Sequence, residues 1–363
     1  IDEFDSDALT THKEGEVILS GKTSIGYTGF ENKDGISALS FGYPYREAPK
    51  TYIRKLTLAP SVEAYQFLKK GESITLTWEV SERNVNDFSE CVKQIWEYSY
   101  DLYKPEPVNT PYSDEKMKEV LSNFFVESYV DDTPTKYYSG VELRTATCEN
   151  LDVAEVGFVG RTLLNAFNAL EYGESQNRKD LVDNANSIFD SYLQNGFSSR
   201  GFFNEVVHFK RNFVETNLSI RRQSEGVYAV LYYLNYEKQH GRKHPEWEKR
   251  LKTMLDAFLK LQNPDGSFPR KFKDDFSLVD KSGGSTPSAT LPLVMGYKYF
   301  KDKRYLEAAK RSVGYLEKEL ISKADYFSST LDANCEDKEA SLYASTAAYY
   351  LALATKGQER VHY

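Results

Sequence analysis

Cysteine is nearly missing from this 363-residue chain. Cys91, Cys148 and Cys335 stand far apart with no C-x-x-C pair, which leaves neither a disulfide framework nor a zinc knuckle. Positive charge is short as well: 46 Lys and Arg against 54 Asp and Glu give a net charge of −8, so no basic face is expected and nucleic acid is not a partner. No apolar run approaches the ~20 residues of a membrane-spanning helix. Absent too are G-x-G-x-x-G, the P-loop, H-E-x-x-H and G-x-S-x-G, which removes the common nucleotide, zinc-protease and serine-hydrolase readings. What the chain does have is 27 Tyr and 21 Phe beside only three Trp and three Met. Tyrosine pairs a flat face with a hydroxyl, which suits a wet groove and ordinary helix packing alike.

The length exceeds one ordinary core, so two domains, or one domain with part of another, are expected. Over residues 15–80, four segments (16–20, 36–41, 51–58 and 73–80) alternate apolar with polar and are separated by Gly, Pro and Asn-Lys-Asp-Gly, the pattern of strands. We read 1–85 as a β-sandwich portion, too short to be a whole sandwich. From about residue 89 the period becomes helical. Residues 86–112 form a linker helix, its apolar positions Cys91, Val92, Ile95 and Trp96 stopped by Pro105 and Pro107, and 113–363 forms a helical domain opened by Ser113 as an N-cap.

Within that domain the helices pair. Residues 155–172, 225–240 and 288–300 are apolar nearly all round and predict buried helices; their successors, 179–195, 245–262 and 304–320, are amphipathic and face water. A fourth inner helix is predicted at 339–355. The connections from inner to outer helix are short, whereas the returning loops 196–224, 263–287 and 321–338 are long and belong on one face, where binding usually resides.

A β-sandwich end, a linker helix and then inner and outer helical hairpins resemble the six-hairpin glycosidase superfamily, the (α/α)6-toroid carbohydrate-active enzymes. The matching segments are Leu68-Lys-Lys-Gly-Glu-Ser-Ile-Thr-Leu-Thr-Trp-Glu as a closing strand, the linker helix, and the inter-hairpin loop Gln262-Asn-Pro-Asp-Gly-Ser-Phe-Pro. The fold class expected is therefore mainly α, an α/α toroid of helical hairpins preceded by a β-sandwich portion. A full toroid has twelve helices and about nine are counted, so a fragment or a toroid of fewer hairpins is expected. The resemblance implies a glycoside hydrolase acting on a polysaccharide or oligosaccharide, without metal or organic cofactor, in a periplasmic or extracellular setting. A toroid lyase or sugar epimerase is the alternative enzyme, and a non-catalytic helical-repeat module that grips a glycan or protein is the alternative outside catalysis.

Glycoside hydrolysis needs two carboxyl groups facing one cleft. Acids precede every inner helix, where capping and the helix dipole also favour them. The pair expected is Asp337 with Glu225, with Glu339, Asp332 and Glu155 in reserve. Arg221 and Arg222, just before an inner helix, either clamp a substrate carboxylate or pair with neighbouring acids. The aromatic stretch holding Phe203 and His208 reads as a sugar-stacking platform or as a hairpin packed on the helices. His208 with Tyr228, Tyr343 and Arg222 would supply the base and charge neutraliser of a lyase.

Overall fold

The computed structural model of the chain describes residues 9–11, 17–19, 26–33, 36–54, 57–63, 65–107, 109–139, 143–144, 149–150, 152–158, 160–282, 285–323 and 338–355. The chain divides into two units, the first running to Asn84 and the second beginning at Val85.

In the first unit the described strands pair antiparallel in twos: Leu9–Thr11 with Val17–Leu19, Tyr27–Lys33 with Ile36–Gly42, and Arg46–Arg54 with Thr57–Glu63. Among the described residues no third strand joins any of these ribbons. The closing strand expected at 73–80 does not form. The segment is coil, and Ile74, Leu76, Trp78 and Val80, the apolar side of its alternation, lie exposed. Alternation supplies a hydrophobic face but not the neighbouring edge that must take up the backbone N–H and C=O groups, and without that edge they stay with water.

The second unit is helical. α1 (Phe88–Tyr103) starts at Asp87, whose side chain accepts the Glu90 N–H at 2.8 Å, and ends at Lys104 in the left-handed region just ahead of Pro105. α2 (Asp114–Glu127) is capped by Ser113 as expected. Three hairpins follow: α3 (Thr162–Gln176) with α4 (Lys179–Asn195), α5 (Ile220–Gln239) with α6 (Pro245–Leu261), and α7 (Thr286–Phe300) with α8 (Lys303–Glu319); α9 (Lys338–Thr355) comes last. Two inner helices differ from the expected bounds. α3 begins seven residues later than predicted because Val153–Glu155 is a strand, and α5 begins earlier because Ser219 caps it.

The inner and outer layers are as the periodicity predicts. α5 and α7 bury residues on every side, whereas α4, α6 and α8 each bury one stripe. Between the layers Phe189 of α4 stacks on Tyr233 of α5 with centroids 3.8 Å apart, and fully buried Trp247 of α6 meets Phe189 edge-on. α9 lies alongside α5. Arg221 meets Glu339 and Glu225 meets Tyr343 at one common separation of 118 residues, a register possible only for helices running parallel.

The long returning loops gather at the N-terminal ends of the inner helices. Val153–Glu155 pairs with Val206–His208, which pairs with Phe213–Val214; Asn217–Ser219 pairs with Lys271–Lys273, which pairs with Leu278–Asp280. The Gln262–Pro269 loop forms a turn, as read from sequence. Gly266 takes φ +98, and a Cβ there would sit 2.2 Å from the Arg311 carbonyl oxygen, so only glycine fits.

At the far end of α5 a polar cluster is fully satisfied. Buried Glu237 accepts Arg242 Nε at 2.9 Å and lies 2.7 Å from His244 Nε2, while Arg242 also pairs with Glu174 at 2.9 Å. Burial alone would raise the Glu237 carboxyl, but the bonds from Arg242 and His244 prevail and hold it below its ordinary range. Its contribution is therefore present above the ordinary carboxylate range and lost as pH falls through the depressed folded value. Glu237→Gln should cost ~2 kcal/mol at neutral pH. In urea titrations the difference from wild type should shrink as the pH is taken below 4.

Candidate functional site

The site begins with two arginines on the first turn of α5. Ser219, the cap, sets that turn, and its own N–H donates to the Glu205 carboxylate. Arg221 and Glu225 stand one turn apart on the buried side, Nε to Oε1 at 3.3 Å, each with 1 % of its side chain exposed. A carboxylate so enclosed must find its donors within the protein. Glu225 finds them on three elements. The backbone N–H of Phe158 and the hydroxyl of Tyr343 on α9 both donate to it, Arg221 adds its Nε, and Arg161 NH2 stands 3.8 Å away. Gly157 permits this approach, since a Cβ there would lie 2.5 Å from Glu225 Oε2 and 2.7 Å from the Arg222 Cα.

Arg221 also carries the connection outward. Its second amino group bonds Glu339 at the start of α9, and its guanidinium lies 5.0 Å from the Phe158 ring centre and 5.6 Å from that of Tyr343. One buried cation thus joins two carboxylates. Glu225 is enclosed, whereas Glu339 keeps 39 % of its side chain exposed.

Arg222 serves a second pair of acids. It meets Glu155 at 2.6 Å and Glu205 at 4.0 Å. Glu205 is wholly buried; burial pushes its carboxyl up from the ordinary 4.5 to about 8, against the opposing pull of the Ser219 N–H, Arg222 and Gln223. It is therefore mostly protonated at neutral pH. Gln223 completes this layer by bonding both backbone groups of Phe203 and donating to Glu205 at 3.1 Å.

The residues singled out from sequence fall into three groups. Glu225, Glu339, Arg221 and Tyr343 share one network, and Arg222 with Glu155 forms the adjoining one. Buried Tyr228 lies near Glu225; burial and then the charge of Glu225 raise its phenol. Tyr343 is raised for the same two reasons, with its own bond to Glu225 adding to them. Phe203 and His208 stand apart. Phe203 is fully buried, stacked on Phe197 and pressed against Gly226, so this aromatic stretch packs as a hairpin rather than presenting a ring to a sugar. His208 faces Glu215 at 3.6 Å and the Phe213 ring on the same hairpin. Asp337 and Asp332 lie outside the described residues.

Sequence reasoning missed Phe158, Arg161, Glu205 and Gln223. For the first two a signal exists: Asp152, Phe158 and Arg161 all adopt positive φ within ten residues, and Gly157 and Gly160 flank Phe158 closely enough to mark a tight loop. A cavity of about 160 Å³ among α2, α3 and α4, lined by Leu121, Phe125, Tyr172 and Leu181, includes none of these groups.

Removing Glu225's charge leaves Arg221 enclosed with half its compensation, so Glu225→Gln should cost ~3 kcal/mol. Tyr343→Phe removes one donor and should cost ~1 kcal/mol, both read from denaturant midpoints. Glu205 has the opposite pH sense to Glu237. With its folded value raised, the stability linked to its proton is complete below 4.5 and is lost as pH rises to about 8. Glu205→Gln should therefore gain on wild type steadily from pH 5 to pH 8 and no further above it.

No protein-family model matches the chain, and no curated protein matches it. Solved structures do. A possible member of the GH105 family from Klebsiella pneumoniae is 12% identical, with 76% of this chain and 72% of that chain covered and a TM-score of 0.51. Cellobiose 2-epimerase from Bacillus thermoamylovorans is 13% identical over 74% of this chain and 69% of its own, with a TM-score of 0.49. D-mannose isomerase is 11% identical over 58% of this chain, with a TM-score of 0.43, and this chain spans 53% of its length. At such identities the likeness is one of fold, and the fold is that of the six-hairpin glycosidase superfamily.

Proposed function

We propose that the chain is a carbohydrate-active enzyme that hydrolyses a glycosidic bond at the N-terminal ends of α5 and α9. The observation that carries this reading is the shared Arg221. By bonding Glu225 and Glu339 at once it keeps two carboxylates within the ~10 Å over which a pair can act on one glycosidic bond. Glu339, the exposed member, is the acid that meets the substrate. Glu225 is the positioning residue: its oxygens are already engaged by Phe158, Tyr343 and Arg221, and through Arg221 it fixes where Glu339 stands. Asp337, two residues before Glu339 in sequence, is the second acid to test.

A lyase or epimerase is less well supported by the geometry. His208 is engaged on the hairpin with Glu215, apart from Tyr228 and Tyr343, and both phenols are held protonated, so neither is poised as a base at neutral pH.

The test is a screen of neutral and uronic polysaccharides that follows reducing ends together with the ultraviolet absorbance of unsaturated sugars. Wild type should release reducing ends without new absorbance, and Glu339→Gln should lower kcat by ~10²- to 10⁴-fold. Glu225→Gln should also slow the reaction, yet keep both limbs of the pH–rate profile, whereas Glu339→Gln should lose one. New absorbance would make the enzyme a lyase, and silence on every polysaccharide would favour a binding module.

A further inference from the structure

Phe158 is the residue that packing does not explain. It is a bulky side chain held at φ +57, a conformation that costs ~1–3 kcal/mol and persists only where the surroundings impose it. Burial does not repay that cost, because 37 % of the residue remains exposed. Its neighbours on the same face of the fold, Phe203 and Phe202, are fully enclosed, so apolar cover was available close by.

What imposes the conformation is the network itself. The Phe158 N–H donates to Glu225, Gly157 lies against α5 closer than any other residue allows, and the guanidinium carbons of Arg221 and Arg222 stand 5.0 and 5.5 Å from the ring centre. The ring is thereby fixed relative to Arg221 and, through Arg221, to Glu339. An exposed aromatic ring, rigidly placed beside a charged site and held there at the expense of backbone strain, has the properties of a ligand contact. Aromatic surfaces with a few fixed polar groups are the usual lining of small-molecule sites.

We propose that Phe158 is the platform against which the C–H face of a substrate sugar ring packs beside Glu339, an inference that rests on the carbohydrate reading above. The aromatic platform is then the loop before α3, not the 201–213 segment.

The decisive variant is Phe158→Gly. Glycine adopts φ +57 freely, so this change relieves strain and should fold at least as well as wild type, whereas Phe158→Ala would leave the strain in place. Phe158→Trp keeps an aromatic face. Wild type and both variants would be titrated with cellotetraose and with tetragalacturonate by saturation-transfer NMR, and kcat and KM measured on the polysaccharide that wild type cleaves. The expected result is that Phe158→Gly raises Kd and KM at least tenfold with kcat changed less than threefold, while Phe158→Trp stays within threefold on all counts. Equal Kd and KM for wild type and Phe158→Gly would overturn the platform and leave the hydrolase standing. If wild type neither binds either tetrasaccharide nor cleaves any polysaccharide, the carbohydrate reading itself falls and takes the platform with it.

Discussion

Everything at the N-terminal end of the inner helices depends on one electrostatic requirement: a carboxylate taken out of water must meet its donors inside the protein. Glu225 meets them from a loop, its own helix and the last helix, and each of those elements takes its position from doing so. Arg221 turns the requirement into a link, because a guanidinium has more donors than one carboxylate can use. The surplus reaches Glu339 and brings a solvent-facing acid under the control of an enclosed one.

A second cation beside it is arranged differently. Arg222 has two acids within reach, yet Glu205 is mostly protonated at neutral pH, so the Arg222 pairing with Glu155 bears the charge. The two layers thus divide the work. The Arg221 layer faces the solvent through Glu339, and the Arg222 layer, with Gln223 clamping the Phe203 backbone, holds the hairpin that backs it.

Much of the helical architecture was legible from periodicity, since all-round apolar helices and one-sided ones differ plainly in sequence and end up in different layers. The N-cap at Ser113 and the turn at Gly266 were legible because each has local chemistry that acts within a few residues. The strand expected at 73–80 failed for the complementary reason: a strand is completed by a partner elsewhere, and alternation does not reveal whether one exists. The site was readable in part. Arg221, Glu225 and Glu339 stand out as charges at the starts of apolar helices, but that Arg221 would join the two acids follows from tertiary register. Glu205 lacked any signal, as its proton is retained by burial alone.

The parallel register of α5 and α9 has a consequence for the order in which the molecule matures. The Arg221–Glu225 contact is one helical turn long and forms as soon as α5 does, but its other partners arrive with residues 118 positions later. While the chain is being made, the half-assembled network holds a cation and an anion that cancel each other and expose no acid to solvent at Glu339's place. Docking of α9 is the step that converts a neutral internal pair into an outward-facing acid, so competence at this site is conferred last, by the C-terminal helix, on a scaffold already folded around it.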